Sequence, residues 1–447
     1  MNMDRFNVKQ LDKRSKDDEL YTVEFLDEVN AFSDRIVEKN DYVNEFVLYF
    51  VVPKLEKERL LKTQRNESAA STHSFFDVIK SVLKIAYLFF INFFYLFSLS
   101  LYVLVKYGQG KEKTSLSQFL AVIRSPATYS KMAFLKNHGV TFYTDSLVYP
   151  ASDSSLSLYA QSFLTRLSGV FFISVLGVKD FVSLFLMARR HLGFVSAVSV
   201  INYYRKRLAH KVTFEFYLSR LLKKIKPETF YTGNKEDRFA LIEKRLCSEL
   251  GIKTVCIPHG LEYAFKMPGG VVGDVFYCNS SYAKDYLSNL YGDAGTIYVF
   301  DKTVVMQMLS RHVEAQNQKR IVFFPESREP AKNLAIIDFL KKQGVDFLVK
   351  LHGKDSLDNY RPLIDESYLI DDFDQAISNS ICLARKSTVL LEALYNHSIP
   401  IAVLVDKKDR SYFEFMFPSL KDDSILKVYS FNELNSLVEK LRARNVQ

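Results

Sequence analysis

The most constraining feature of this chain is an uncharged run of 21 residues, from Ile85 to Val105, bordered by Lys84 and Lys106. A helix rises by about 1.5 Å per residue, so a run of this length matches the roughly 30 Å hydrocarbon layer of a bilayer. Most helices in the core of a water-soluble domain are shorter. We therefore predict a membrane-associated helical region over residues 75–110.

A second apolar region, over residues 168–201, differs from the first because charges interrupt it. Lys179, Asp180, Arg189, Arg190 and His191 all lie within it. A charged side chain at the centre of an inserted helix costs roughly 2.5–3.5 kcal/mol. This region is therefore expected to lie in the membrane interface or to pack on the protein, with basic side chains reaching lipid head groups.

Composition limits the class of protein. A chain of 447 residues with 48% hydrophobic content suits two or three packed domains and excludes a multispan transporter. The formal charge of +9 favours an anionic partner, such as a membrane surface or a nucleotide phosphate. No basic stretch with interleaved aromatics forms a nucleic-acid module, so nucleic acid is not an expected partner. The four cysteines form no CxxC pair and are expected to be reduced core thiols.

Strands and helices alternate clearly from about residue 212 onward. TFYTG and KTVCI are predicted strands separated by a helix that ends at Gly251, and short apolar strands continue to about residue 404. This alternation predicts parallel sheets covered by helices on both faces, and hence an α/β fold with two Rossmann-like domains. The predicted domains are residues 1–265, which contain both apolar regions, and residues 266–447.

Ligands of parallel α/β sheets bind beyond the carboxyl ends of the strands, so residues that follow strands are the first candidates for a site. His259, in Pro258-His259-Gly260, follows the strand KTVCI. Its near-neutral pKa would allow it to deprotonate an acceptor hydroxyl or to hold a leaving phosphate. A histidine that is merely hydrogen-bonded in a turn is the alternative.

Basic residues follow two further strands. Lys350 and His352 alternate at the end of FLVK, so both should point to one side and could contact an anionic group together. Arg385, Ser387 and Thr388 lie where another strand meets the helix VLLEALYN, and one of the two hydroxyl residues should cap that helix beside an anion-binding N-terminus.

Two carboxylate features of this part of the chain are less specific. Glu392, one turn into the same helix, could accept hydrogen bonds from ribose hydroxyls or could be an ordinary surface carboxylate. The aspartates of IDDFD, Asp371, Asp372 and Asp374, superficially resemble a metal motif, but a helix start explains them better. No metal site is predicted.

The segments KPETFYTG, TVCIPHG, FLVKLHGK and SICLARKSTVLLEAL, all between residues 226 and 402, resemble landmarks of GT-B glycosyltransferases that build bacterial surface polysaccharides. The resemblance is to sialyltransferase-like, Kdo-transferase-like and glycerophosphotransferase-like members, and it covers about the last half of the chain. It implies a GT-B fold in which the C-terminal domain binds a nucleotide-sugar donor.

The resemblance also implies roles for single residues. Lys350 and His352 would contact the donor phosphate or nucleotide, Ser387 and Thr388 the phosphate, and His259 the acceptor or leaving group. Arg328, in the loop PESREPAK, is a candidate for neutralising the leaving phosphate, with Lys332 beside it. A CMP-linked donor is favoured and no cofactor is expected, although Gly353 stands where capsule-type enzymes usually have proline.

These features predict a metal-independent, membrane-associated glycosyltransferase that acts on a lipid-linked or growing glycan of a capsule, O-antigen or lipopolysaccharide. The N-terminal residues lack an apolar run, so the expected location is the cytoplasmic face of the inner membrane. Three alternatives remain: a transferase using CDP-glycerol or CDP-ribitol, a non-catalytic membrane-anchored scaffold, and a soluble sugar-nucleotide epimerase. The uncharged run argues against the last of these.

Overall fold

Two parallel β-sheets organise the protein. The computed structural model describes residues 21–36, 40–63, 75–107, 117–150, 155–292, 295–311 and 319–445. The strands in chain order are β1 (Phe119–Ile123), β2 (Thr141–Thr144), β3 (Leu156–Ser157), β4 (Thr229–Thr232), β5 (Lys253–Cys256), β6 (Val275–Tyr277), β7 (Ile297–Val299), β8 (Arg320–Phe324), β9 (Leu348–Val349), β10 (Ser380–Ala384), β11 (Ile399–Val403) and β12 (Leu426–Val428).

Helices surround both sheets. The α-helices are α1 (Val23–Asp34), α2 (Val43–Phe46), α3 (Val52–Thr63), α4 (Phe75–Lys106), α5 (Pro126–Met132), α6 (Phe163–Leu192), α7 (Phe194–Tyr204), α8 (Arg207–Ile225), α9 (Arg238–Leu250), α10 (Ser281–Tyr291), α11 (Lys302–Leu309), α12 (Pro330–Lys342), α13 (Phe373–Ile377), α14 (Val389–Leu394), α15 (Lys407–Met416) and α16 (Phe431–Asn445). A π-helical turn, Val47–Val51, joins α2 to α3. Short 3₁₀ helices cover Ala133–His138, Leu357–Asn359, Glu366–Tyr368 and Pro418–Lys421.

The first sheet has the strand order β3-β2-β1-β4-β5-β6-β7, and the second has the order β12-β11-β10-β8-β9. Every strand pair in both sheets is parallel. This confirms the predicted class of two Rossmann-like α/β domains, with two long apolar helices in the N-terminal half.

The sheets divide the chain later than the predicted boundary between residues 265 and 266. Strands β6 and β7 extend the first sheet beyond β5, so that the first sheet continues to Val299 and the second begins at Arg320. The predicted boundary was too early because successive parallel strands have the same sequence pattern whichever sheet they join. Strand β1, which lies between β2 and β4, was not predicted, although Phe119–Ile123 is a continuous apolar run.

Helices α4 and α6 correspond to the two predicted apolar regions. Both are long and apolar enough to cross a membrane, and each buries only a minority of its most apolar stretch. They pack closely against each other: a Cβ built on Gly177 would lie 2.2 Å from the Leu96 side chain. The second region begins earlier than predicted and breaks at Gly193, whose φ of 82° separates α6 from α7. Residues 108–110 of the first predicted region lie outside the described residues.

Two charged residues of α6, Arg166 and Asp180, contact the protein, whereas Lys179, Arg189 and Arg190 are exposed. Asp180 Oδ2 accepts a hydrogen bond from the Lys211 Nζ at 2.6 Å, and the Tyr42 hydroxyl donates to the same oxygen at 3.2 Å. Arg166, at the start of α6, is buried and donates to the carbonyl oxygen of Tyr107. These polar contacts fix one face of α6 against the first domain, while large apolar side chains such as Phe171, Val175 and Leu186 are exposed on the rest of the helix.

The carboxyl edges of the two sheets face each other. Lys131, in α5 after β1, pairs at 3.3 Å with Glu392, in α14 after β10. Glu262, in the loop after β5, accepts hydrogen bonds from the backbone N–H and the hydroxyl of Ser419 in the second half of the chain. Because Lys131 and Glu392 lie in helices that directly follow strands, the strand ends of both domains lie around one crevice.

Candidate functional site

A cavity of about 430 Å³ lies at the carboxyl edge of the second sheet. It is bounded by the segments that follow β8, β9 and β10, the three strands at the centre and one edge of that sheet. Its lining consists of Phe324, Pro325, Glu326, Ser327, Arg328, Lys350, Leu351, His352, Gly353, Phe373, Ser387 and Val389. The structure therefore brings together four of the predicted site residues, Arg328, Lys350, His352 and Ser387.

Lys350 and His352 form the β9 side of the cavity. The backbone N–H of Lys350 donates to the Phe323 carbonyl at 3.0 Å, which ties the end of β9 to β8. The Nδ1 atom of His352 accepts a hydrogen bond from the backbone N–H of Lys354 at 3.1 Å. Because Nδ1 is the acceptor, the proton of the neutral ring lies on Nε2, which can donate to a phosphate oxygen.

Arg328 and Ser387 occupy the other two strand ends. Arg328 is exposed in the loop after β8, so its guanidinium is accessible to an anion. Its positive charge also acts on Tyr263 of the first domain: burial raises the pKa of that phenol well above its ordinary value, and Arg328 opposes the increase. The Ser387 Oγ accepts a hydrogen bond from the backbone N–H of Val389 at 3.3 Å and so caps the first turn of α14.

Arg385 does not line the cavity, contrary to its predicted role. Its side chain is 1% exposed, and the guanidinium donates to both carboxylate oxygens of Asp409 and to Glu329 Oε2 at 2.8 Å. Burial alone would raise the pKa of Asp409, but the hydrogen bond and charge of Arg385 hold it well below its ordinary range. Arg385 therefore supports the cavity floor as part of a buried ion cluster and is not accessible to a ligand.

Three other predicted residues have positions that differ from expectation. Glu392 is buried and pairs with Lys131 and with Arg311, each at 3.3 Å, instead of facing the cavity. Thr388 precedes α14 but makes no capping hydrogen bond through its side chain and does not line the cavity. The Lys332 Nζ forms ion pairs with Asp406 at 2.7 Å and with Glu329 at 3.0 Å.

The aspartates of IDDFD lie at a helix start, as predicted. Asp372 caps α13 and accepts a hydrogen bond from the backbone N–H of Gln375 at 2.8 Å. Among the described residues, no group of three or more His, Cys, Asp or Glu side chains could hold a metal ion. The cysteines at 247, 256, 278 and 382 are buried and form no disulfide.

Four residues of the cavity were not predicted from the sequence: Glu326, Ser327, Phe324 and Phe373. Glu326 immediately follows Pro325 at the end of β8, and its Oε1 accepts from the Lys386 N–H at 3.0 Å. Burial raises the pKa of Glu326, while the charges of Arg385 and Lys386 oppose the increase. Phe324 and Phe373 meet edge to face with ring centroids 6.2 Å apart and give the cavity an apolar wall. The position after β8 was the available signal for Glu326.

His259 lies on the opposite side of the crevice, after β5, and does not line this cavity. Its Nδ1 lies 2.6 Å from the Gly233 carbonyl oxygen, which can only accept, so Nδ1 carries the proton and Nε2 is the basic nitrogen of the neutral ring. Enclosure by the surrounding protein lowers the pKa of His259, and the hydrogen bond to Gly233 opposes this effect. The ring keeps an exposed edge and has the hydrogen-bonding pattern of a proton acceptor.

Comparisons with known proteins concern the fold. Neither a family model nor a curated protein sequence matches the chain. A UDP-GlcNAc 2-epimerase from Methanocaldococcus jannaschii is 12% identical over 72% of this chain and 91% of that chain, with a TM-score of 0.41. A UDP-GlcNAc 2-epimerase from Neisseria meningitidis, bound to UDP-GlcNAc, is 13% identical over 73% of this chain and 99% of that chain, with a TM-score of 0.37. The two parallel α/β domains of this chain are consistent with the predicted GT-B fold.

Proposed function

We propose that this chain is a membrane-associated glycosyltransferase that transfers a sugar from a nucleotide-sugar donor to a lipid-linked or growing surface glycan. One observation carries the proposal: Arg328, Lys350, His352 and Ser387, from three different strand ends, line a single cavity. Its volume of about 430 Å³ lies within the roughly 300–1,000 Å³ typical of small-molecule sites. The carboxyl edge of a parallel sheet is also where such folds bind nucleotides.

The cavity residues suit the donor side of the reaction. Lys350 and Arg328 would balance the negative charge that develops on the departing nucleotide phosphate, and His352 would donate from Nε2 to a phosphate oxygen. The aromatic wall of Phe324 and Phe373 offers a surface for the base or the sugar. These groups can stabilise the leaving group without a metal ion, so we propose metal-independent chemistry.

On the acceptor side, we assign the role of general base to His259. As the acceptor oxygen attacks the anomeric carbon of the donor, the hydroxyl proton passes to Nε2 of His259. The bond between the anomeric carbon and the donor phosphate breaks, and its electron pair leaves with the nucleotide. The hydrogen bond from Nδ1 to the Gly233 carbonyl supports this role, because it leaves Nε2 as the nitrogen that can accept the proton.

The exposed faces of α4 and α6 support membrane association. Large apolar side chains recur on α4 at helical spacing and remain exposed: Phe76, Ile79, Leu83, Tyr87, Phe90, Phe94, Phe97, Leu101 and Val105. A contiguous apolar face of this size typically marks an interaction surface. Because the polar side of α6 is bound to the first domain, we propose that the two helices lie in the cytoplasmic leaflet of the cell membrane, without crossing it.

A thermal-shift panel with CMP, CDP, UDP, GDP and TDP tests the donor site. A ligand present at a concentration of one hundred times its Kd stabilises the folded state by about 2.7 kcal/mol. We therefore expect the nucleotide of one particular base to raise the melting temperature of the chain measurably. His352→Ala should abolish that increase, whereas His138→Ala, which removes an exposed histidine of the first domain, should retain it. Stabilisation by none of the five, or equal stabilisation of His352→Ala, contradicts the proposal.

Product analysis separates the alternatives. A glycosyltransferase requires an acceptor, whereas a sugar-nucleotide epimerase converts its substrate when no acceptor is present. A polyol-phosphate transferase would respond to CDP in the panel and would transfer glycerol phosphate or ribitol phosphate from the CDP-linked donor. A non-catalytic scaffold would respond to no nucleotide.

A further inference from the structure

A second cavity, of about 500 Å³, lies in the first domain between α4 and the start of α8. Its lining consists of Tyr95, Ser98, Leu99, Tyr102, Leu147, Val148, Lys206, Ala209 and His210. It shares no lining residue with the cavity of the second domain. The proposed donor chemistry therefore leaves this cavity unused.

One side of this cavity is apolar and continuous with the exposed face of α4. Leu99 and Tyr102 belong to α4, and Tyr102 is 48% exposed beside Leu101, which belongs to the exposed apolar row. Val148, from the segment after β2, is 53% exposed at the rim. A hydrocarbon chain lying along α4 could therefore reach the cavity past Tyr102, whose ring centre also lies 5.1 Å from the Lys106 Nζ.

The other side is cationic. Lys206 lines the cavity within the run Arg205-Lys206-Arg207, where α7 meets α8, and all three side chains reach solvent. The Lys206 Nζ lies 5.9 Å from the centre of the Tyr95 ring, which directs the ammonium towards the apolar wall. A cation at the mouth of an apolar cavity is complementary to an amphiphile with an anionic head group.

His210, at the inner end, is held by a buried carboxylate. Its Nε2 lies 2.7 Å from Asp145 Oδ2, and the Tyr159 hydroxyl donates to the other oxygen of Asp145 at 2.7 Å. Burial alone would raise the pKa of Asp145, but the hydrogen bond and charge of His210, with the charge of Arg124, lower it. Asp145 therefore stays ionised and fixes the orientation of the His210 ring.

The location of this polar cluster is that of a ligand site. Arg124 immediately follows β1 and Asp145 immediately follows β2, so the cluster lies on the carboxyl edge of the first sheet. His259 follows β5 on the same edge. The cavity thus connects the apolar face of α4 to the edge on which the proposed acceptor chemistry takes place.

We propose that this cavity binds the head group of an amphiphile with a phosphorylated head, with the phosphate at Lys206 and the hydrocarbon chain along α4. This rests on the proposed function in one respect, since it identifies the acceptor as such a lipid. An amphiphile fits the whole cavity, because its hydrocarbon chain matches the apolar wall and its anionic head group matches the cationic end.

The test is isothermal titration calorimetry of the full chain with dodecyl phosphate below its critical micelle concentration. We expect saturable binding, no binding of inorganic phosphate at the same concentration, and at least fivefold weaker binding of dodecyl maltoside, whose head group is neutral. Lys206→Ala should weaken dodecyl phosphate binding at least fivefold. Lys223→Ala, an exposed lysine near the other end of α8, should change it by less than twofold.

A second variant tests the cavity independently of Lys206. Ser98→Phe places a ring inside the cavity and should abolish binding while the melting temperature stays near that of wild type. Equal affinity for dodecyl maltoside and dodecyl phosphate, or binding unchanged in Lys206→Ala and Ser98→Phe, overturns the proposal. Binding of inorganic phosphate as tight as that of dodecyl phosphate would mean a free-phosphate site and also overturns it.

The two proposals fail separately. His352→Ala lies outside this cavity and should bind dodecyl phosphate like wild type. If no nucleotide stabilises the chain but dodecyl phosphate binds as described, the glycosyltransferase function is wrong and the amphiphile site stands. If a nucleotide stabilises the chain and dodecyl phosphate does not bind, the amphiphile site is wrong and the glycosyltransferase function stands.

Discussion

At the scale of single residues, two histidines of this chain have opposite hydrogen-bonding patterns. The roles that we propose for them depend on those patterns. His352 accepts at Nδ1 from a backbone N–H, which leaves Nε2 as a donor. His259 donates from Nδ1 to a carbonyl oxygen, which leaves Nε2 as an acceptor. The first pattern suits phosphate binding and the second suits proton abstraction. Sequence alone could not distinguish them, because the partners are backbone atoms of loops.

Glu243 provides a pH prediction at the same scale. Burial raises its pKa from 4.5 to about 8, although Thr232 and Asn234 hydrogen-bond to the carboxylate. The folded state therefore holds a proton that the unfolded state releases above pH 4.5. The stability that this proton contributes is complete below pH 4.5 and is lost as the pH rises towards 8.

Glu243→Gln removes the titrating group, so its melting temperature should fall less than that of wild type between pH 5 and pH 8. The measurement is a pair of thermal melts for each protein. An equal fall in both proteins would mean that Glu243 is ionised in the folded state at both pH values.

The elements of the fold could be predicted better than the roles of the residues between them. The apolar runs of β4, β5, β8 and β10 identified the strands, and the rule that sites follow strand ends brought Arg328, Lys350, His352 and Ser387 to one cavity. Arg385 and Glu392 were misassigned because their partners are distant in the sequence. Asp409 lies 24 residues from Arg385, and Lys131 belongs to the other domain. Local pattern contains no information about such pairings.

The exposed face of α4 supplies a prediction at the scale of an element. Phe90 is 71% exposed and Phe94 is 62% exposed on the same face. The variant Phe90→Glu/Phe94→Glu should fold normally but lose co-flotation with vesicles of phosphatidylglycerol and phosphatidylethanolamine, because charged side chains do not enter the acyl region.

Ile297→Glu is the matched control, since Ile297 is 64% exposed but belongs to β7, in the first sheet rather than in α4 or α6. It should float like wild type. Flotation of the double variant at the wild-type level would mean that this face does not bind membranes.

At the scale of the whole molecule, the domains place their functional edges around one crevice. Lys131 and Glu392, which pair with each other, lie in helices that follow strands of different sheets. Glu262, after β5, contacts Ser419 in the 3₁₀ helix that precedes β12. The cavity near α4 opens on the first domain, and the cavity with His352 opens on the second. An acceptor held at the membrane surface and a donor held in the second domain would therefore meet at the crevice that contains His259.

The central claim is that the cavity of the second domain binds a nucleotide through its basic strand ends. The most direct test is a calorimetric titration with whichever nucleotide stabilises the chain, using wild type, Lys350→Ala and Lys354→Ala. Lys350 lines the cavity, whereas Lys354 is an exposed lysine of the same loop that does not. We predict that Lys350→Ala weakens binding at least tenfold and that Lys354→Ala changes it by less than twofold. Equal affinities in all three proteins would contradict the account.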